Sequence, residues 1–275
     1  LGQGIATSVG IAIAEKFKQT KLGSNIIDNK IYVLAGDGCL MEGVSEEAIS
    51  LAGTLNLNNL IVLWDDNNIT IDGNANIANS VNMKERFKAN NWNIFEIKDG
   101  YNIEEIDSVL EMAKSSDKPV FIDVHTVIGH GYKPVENSAS VHGSPLSEGQ
   151  VYEAKTMANY PTTPFEIPSE ILSSWNEIGH KFDNDAKIWN EKVGQLSSDK
   201  KEFLKLISKI TTSNIDNIIL SLKEKFVKDN FENSNKFNKL SQFDFTIQRG
   251  TAGNNGGSDL IFIDSRLELY NKYPL

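Results

Sequence analysis

Ile31-Tyr32-Val33-Leu34-Ala35-Gly36-Asp37-Gly38 is the stretch on which the fold turns. Its apolar run, ending abruptly on an aspartate between two glycines, reads as a buried strand that leaves into a loop at its carboxyl end. A second run, Leu60-Ile61-Val62-Leu63-Trp64, ends in the same way on Asp65-Asp66-Asn67-Asn68. Between them Ser45-Glu46-Glu47 predicts a helix start, with a capping hydroxyl followed by two carboxylates at the positive end of the dipole. Ala48, Ile49, Leu51, Ala52 and Leu55 are expected to form that helix's buried side. Upstream, residues 4–17 place Ile5, Val9, Ala12 and Ile13 on one helical face, with Ala6, Gly10 and Ala14 beside it, a small-residue stripe suited to close approach of another backbone. Downstream, Asn93 to Ile97 reads as a weaker strand. Ile103, Ile106, Val109, Leu110 and Ala113 mark another helix, and Val120 to Thr126 a further strand. Strands separated by helices predict an α/β fold, a parallel sheet with helices on both faces. Ligands of such sheets bind at the carboxyl ends of the strands, where both Asp-containing loops lie.

The composition bounds the rest. The chain has 275 residues, 27 Lys+Arg against 37 Asp+Glu, a net charge of −10 and 40% hydrophobic residues. It can bury a real core as one large domain or two smaller ones. The acidic balance argues against a nucleic-acid partner, which calls for a basic patch. No apolar run approaches the roughly 18 residues of a membrane span. The single cysteine, Cys39, excludes an internal disulfide framework and a multi-cysteine zinc site, and fits a reducing cytoplasm. The chain opens on Leu1 rather than Met, and is expected to be part of a longer protein or to have lost its start. From Ser169 to about Asp229 the pattern turns helical and rich in Lys and Glu, a helical linker or arm with a solvated face. The tail is Gly/Asn-rich and then mixed.

The chemistry rests on two loop positions. Parallel strands that neighbour one another bring Asp37 and Asn67 together although they are distant in sequence. A carboxylate, an amide oxygen and a loop carbonyl are hard oxygen ligands that suit Mg²⁺ or Ca²⁺ rather than zinc. Because Mg²⁺ favours a few protein oxygens together with substrate phosphates, a diphosphate bridged through one cation follows. Of the remaining histidines, His125 on its strand and His130 in its loop are expected to be structural, and His180 exposed. Cys39 is expected to pack near the site as a small residue.

Gly36-Asp37-Gly38-Cys39-Leu40-Met41-Glu42-Gly43, with Glu47-Ala48, Ser50-Leu51-Ala52-Gly53 and Asp65-Asp66-Asn67, resembles the thiamine-diphosphate motif as transketolases write it. Leu1-Gly2-Gln3-Gly4-Ile5, Ile69-Thr70-Ile71-Asp72-Gly73, Ile128-Gly129, Val141-His142-Gly143-Ser144-Pro145-Leu146 and Pro164-Phe165-Glu166-Ile167-Pro168 narrow the resemblance to that family. It covers residues 1–235 and is tightest up to Leu146. The resemblance implies a thiamine-diphosphate-binding fold followed by a helical linker. It implies transfer of a two-carbon ketol unit from a ketose phosphate to an aldose phosphate, with thiamine diphosphate as electron sink and Mg²⁺ (or Ca²⁺) as its cation. By position, Asp37 and Asn67 match side-chain metal ligands, and Ile69 matches the residue whose main-chain carbonyl completes the set. Gly38 matches a main-chain contact to the diphosphate, and Leu1 the last residue of a loop under the cofactor. His142 matches a catalytic histidine close to the diphosphate and the reacting carbons, where an imidazole suits proton exchange with hydroxyls. Glu42 and Glu47 match acidic residues that link two active sites across a dimer.

The resemblance also implies what this chain lacks. A full member begins well upstream, and it continues into a pyrimidine-binding domain. Gly256-Gly257-Ser258-Asp259-Leu260 only faintly matches a segment of that domain. The expected organisation is therefore a diphosphate- and metal-binding α/β domain over residues 1–165, a helical linker over 166–235 and a diverged tail over 236–275. The expected partners are sugar phosphates and either a second copy, as a homodimer, or a separate chain carrying the pyrimidine-binding domain. Alone, the chain is expected to be incomplete as an enzyme. The alternatives are a non-catalytic truncated remnant or another thiamine-diphosphate enzyme such as a dihydroxyacetone synthase.

Overall fold

The computed structural model describes residues 1–208 and 260–263. Apolar, β-branched segments form four parallel strands: β1 (Ile31–Gly36), β2 (Leu60–Asp66), β5 (Asn93–Ile97) and β6 (Val120–His125). Their spatial order is β5-β6-β2-β1, and β7 (Leu260–Ile263) adds to the free edge of β1 in antiparallel sense. Between β2 and β5 a two-residue pair, β3 (Ile69–Thr70) with β4 (Gly73–Asn74), forms a separate small hairpin. The parallel α/β architecture expected from the alternating pattern is present. The antiparallel β7 is additional, and the rest of the tail from residue 236 lies outside the described residues.

Alternation along each strand sorts the core into two layers. Ile31, Val33 and Ala35 of β1 and Leu60 and Val62 of β2 pack against α1 (Gln3–Leu22), α3 (Gly43–Thr54) and α4 (Met83–Ala89). Ile61 of β2, Ile97 of β5 and Val120 and Ile122 of β6 pack against α5 (Ile103–Lys114) on the opposite face. At the centre of the first layer Phe87 stacks on Phe121 with centroids 3.8 Å apart and meets Trp92 edge-on at 5.0 Å. Burying each such ring stabilises the fold by about 1.5–3 kcal/mol. Gly53 is required where α3 meets the turn after α4, since a β-carbon there would lie 1.7 Å from the Asn90 carbonyl oxygen.

Three local expectations give way to tertiary structure. The helix expected to start at Ser45 begins at Gly43, after the short α2 (Asp37–Leu40). Ser45 is fully buried and its hydroxyl donates to the Cys39 carbonyl at 2.7 Å rather than capping. Ala48, Ile49 and Ala52 of α3 are buried as expected, but Leu51 and Leu55 face outward at 46% and 48% exposure. On α1, Ile5, Val9 and Ala12 are buried and Ala6 packs against them half-buried, while Ile13, Gly10 and Ala14 are exposed, and a β-carbon on Gly10 would meet nothing within 4 Å among the described residues.

The chain divides into two compact units, one of Leu1–Ile188 with Gly253–Leu275 and one of Trp189–Ala252. The sheet and its helices belong to the first, as do α6 (Glu148–Met157) and α7 (Ser169–His180). Helix α8 (Asp183–Gly194) runs across the boundary, and the second unit contains α9 (Ser198–Ser208). The expected helical arm is thus helical as far as Ser208, and its remainder lies outside the described residues. No helix among the described residues is long and apolar enough to cross a membrane.

Candidate active site

Strand register brings the two loops together. Gly36 of β1 lies opposite Asp65 of β2, so Asp37, just past β1, and Asn67, just past β2, leave the sheet at one rim. Both line a cavity of about 850 Å³, together with Leu1, Gly38, Ile69 and His142. Every residue assigned to the site from the sequence therefore faces the same space. Glu42 and Glu47 do not line it; Glu47 is exposed and Glu42 half-buried beside α3.

Asp37 opens the single helical turn α2, an anion at a helix start. It is 7% exposed, and its Oδ2 is buried without a hydrogen-bond partner among the described residues. Burial foremost, and then the nearby Asp66 charge, lifts its carboxyl from 3.8 to about 7, with the Trp64 side chain pulling the other way. A buried carboxylate so placed favours either a proton or a bound cation. Asn67 is held by an Asx turn: its Oδ1 accepts from the Ile69 amide at 2.9 Å, and its Nδ2 donates to Asp65 at 3.0 Å. The amide oxygen keeps a second lone pair for a cation. Asn68 adopts a left-handed conformation, with φ of 59°, which starts the small hairpin that carries Ile69.

His142 closes a short turn, Ala139–Val141, capped by the Ser138 side chain. Its Nδ1 is buried without a hydrogen-bond partner among the described residues. At the amino end of α2, Gly38 lies beside Leu1, whose Cδ1 a β-carbon there would meet at 3.4 Å. Cys39 is 1% exposed and lines the cavity as the small residue expected there.

The structure adds residues that sequence reasoning missed. Tyr101, in the loop after β5, lines the cavity and clamps the segment after β6: its hydroxyl donates to the Val127 carbonyl and accepts from the Val127 amide, each at 2.9 Å. His130 stacks on the Tyr101 ring with centroids 3.6 Å apart, which gives this histidine the structural role expected of it. Thr126 lines the cavity too and donates its hydroxyl to Asp65. Only contact between loops remote in sequence reveals these roles; neither Tyr101 nor Thr126 lies in a recognisable pattern. His180 is exposed and meets Asp183 at 3.1 Å.

The cavity, lined by Asp37, Asn67, Ile69 and His142, opens at the carboxyl ends of parallel strands, where open α/β sheets bind their ligands. Comparison with known proteins identifies the family. The family described as "Transketolase, thiamine diphosphate binding domain" matches residues 1–215. The transketolase of Rhodobacter capsulatus is 44% identical over 201 residues, which cover 73% of this chain and 30% of that protein. The transketolase of Aquifex aeolicus is 44% identical over 176 residues, covering 63% and 25%. Among solved structures, transketolase from Campylobacter jejuni aligns with a TM-score of 0.68 at 40% identity, covering 74% of this chain and 32% of that one. A Pichia stipitis transketolase in complex with sedoheptulose 7-phosphate aligns with a TM-score of 0.68 at 36% identity, covering 77% and 32%. The chain belongs to the transketolase family, and it spans about 30% of the length of the first of these relatives.

Proposed function

We propose that this chain supplies the diphosphate- and metal-holding half of a transketolase site. In this reading Asp37 and Asn67, with the Ile69 carbonyl, hold Mg²⁺ or Ca²⁺, and the cation and the Gly38 main chain hold the diphosphate of thiamine diphosphate. Leu1 forms part of the wall beneath the cofactor. When bound, the cofactor supplies the electron sink that allows a ketol carbon–carbon bond to break. The chain's own contribution is to position that group, exclude water with its apolar walls and exchange protons through His142 with substrate hydroxyls. The reading places the substrates among phosphorylated ketoses and aldoses. The Pichia stipitis transketolase bound to sedoheptulose 7-phosphate supports that class. The relatives named above are transketolases, which favours this activity over that of a dihydroxyacetone synthase.

We further assign the other half of the site to a pyrimidine-binding domain met in a dimer or a separate chain, with Glu42 and Glu47 on the dimer side. A cytoplasmic setting fits the single buried cysteine. The observation that carries the reading is the buried Asp37 carboxylate, its Oδ2 without a hydrogen-bond partner among the described residues, sharing one cavity with Asn67, Ile69 and His142.

The test has two arms. Calorimetric titration with thiamine diphosphate is expected to show binding in Mg²⁺ that vanishes with a chelator; equal affinity without a divalent ion overturns the site. Ketol transfer from a ketose phosphate to ribose 5-phosphate is expected only when a chain carrying the pyrimidine-binding domain is added; no turnover in that mixture overturns the activity.

A further inference from the structure

A second charged cluster lies at the same end of the sheet. Leu63, Asp65 and Val124 line the cavity. Strand alternation turns Asp66 and Asp123, which flank them, to the other face. There Asp66 of β2, Asp123 and His125 of β6 and Glu96 of β5 converge with Lys84 of α4. Ligand atoms of Asp66, Asp123 and His125 lie within 4.8 Å of one another.

Three features of this cluster point to a cation. First, Asp123 is only 1% exposed; Lys84 reaches its Oδ2 at 2.9 Å, but its Oδ1 is buried without a hydrogen-bond partner among the described residues. Second, three carboxylates face one ammonium and one imidazole, so negative charge is in excess in a partly desolvated place. Third, the two ring nitrogens of His125 have different partners. Nδ1 lies 3.2 Å from Asp66 Oδ2, while Nε2 lies 3.0 Å from Glu96 Oε1 and farther, 3.8 Å, from Asp123 Oδ2. A histidine that offers one nitrogen inward while a carboxylate takes its other N–H is the usual outer support of a metal-bound imidazole.

We propose that Asp66, Asp123 and His125 bind a divalent first-row transition ion such as Zn²⁺ or Co²⁺, with Glu96 orienting the His125 ring. Two carboxylates and one imidazole are a borderline ligand set that suits these ions; Mg²⁺ and Ca²⁺ favour oxygen-only sites. Small side-chain rotations bring the three ligand atoms to the spacing set by metal–ligand bonds of about 2.0–2.2 Å. Lys84 is the competitor. Its ammonium holds one Asp123 oxygen in the absence of the ion, and its flexible stem, 39% exposed, lets it swing into solvent when the ion enters. None of its three ligands is among the residues assigned to the cofactor.

The test is titration of the full, metal-stripped chain with Co²⁺ in excess Mg²⁺, read by the visible absorption of protein-bound cobalt. The expected result is a single equivalent that resists Mg²⁺, persists in Asn67→Ala and disappears in His125→Ala. Glu96→Gln is expected to weaken binding by roughly 10–100-fold. Lys84→Met, which removes the competing ammonium, is expected to tighten it. Absence of Mg²⁺-resistant cobalt, binding unchanged in His125→Ala, or binding lost in Asn67→Ala overturns the proposal. Circular dichroism confirms that each variant is folded.

Discussion

Replacing Asp37 by asparagine tests the site through stability alone. Burial and the Asp66 charge raise the Asp37 carboxyl from 3.8 to about 7, so the folded chain holds this proton more tightly than the unfolded chain. Its stability is therefore fully present below 3.8, declines as the pH rises and reaches its lower plateau above about 7. Each tenfold change in proton concentration is worth roughly 1.4 kcal/mol, so the whole decline amounts to about 4 kcal/mol at most, and about 2–4 kcal/mol once solvent in the open cavity is allowed for. The substituted amide keeps the shape of the carboxyl group and carries no charge. In a cation-free buffer at pH 8 the Asp37→Asn variant should thus be more stable than the parent by about 2–4 kcal/mol, roughly 5–15 °C in melting temperature for a chain of this size. At pH 3, below 3.8, the two should melt together. Mg²⁺ with thiamine diphosphate should reverse the order: a ligand at about a hundredfold over its Kd stabilises the parent by nearly 3 kcal/mol, and the variant gains little. Scanning calorimetry at both pH values, with and without ligand, reads all of this. Equal melting temperatures at pH 8 in a cation-free buffer, or an undiminished ligand response in the variant, would refute the reasoning.

Other expectations are simpler to state. Gly53→Ala drives a methyl into the Asn90 carbonyl and should cost about 1–3 kcal/mol or more, seen as a lowered denaturation midpoint with unchanged slope. Tyr101→Phe deprives both backbone groups of Val127 of their partner, and hydrogen exchange at the Val127 amide should accelerate while the core strands keep their protection. The carboxylate of Glu96, foremost, raises the His125 pKa above its ordinary 6.5. Metal-free protein should therefore hold the stability from this pair fully below pH 6.5 and lose it as the pH rises through the folded value; His125→Gln should remove that segment of the pH–stability curve.

Much of the site is legible in the chain because its signals are local. The apolar run broken by Gly36-Asp37-Gly38 fixes where β1 ends, the run broken at Asp65 places the end of β2 to within two residues, since the strand continues through Asp66, and a parallel sheet gathers strand ends at one rim. The periodicity of α1 and α5 likewise marks Ile5, Val9, Ala12, Val109 and Ala113 as buried, since a helix face repeats whatever it packs against. Ser45 is misleading because a hydroxyl before two carboxylates resembles a cap, and only the approach of the Cys39 carbonyl gives it a better partner.

What the linear order of residues determines, then, is the set of segments that must be buried and the chemistry displayed at their ends, because spacing and polarity act along the chain. Tertiary packing alone decides that Leu51 and Leu55 face outward, that Tyr101 grips Val127, that β7 pairs with β1 and that Asp66, Glu96, Asp123 and His125 share one corner. Those outcomes depend on which elements become neighbours, and contact across such distances in sequence leaves no periodic trace in any single segment.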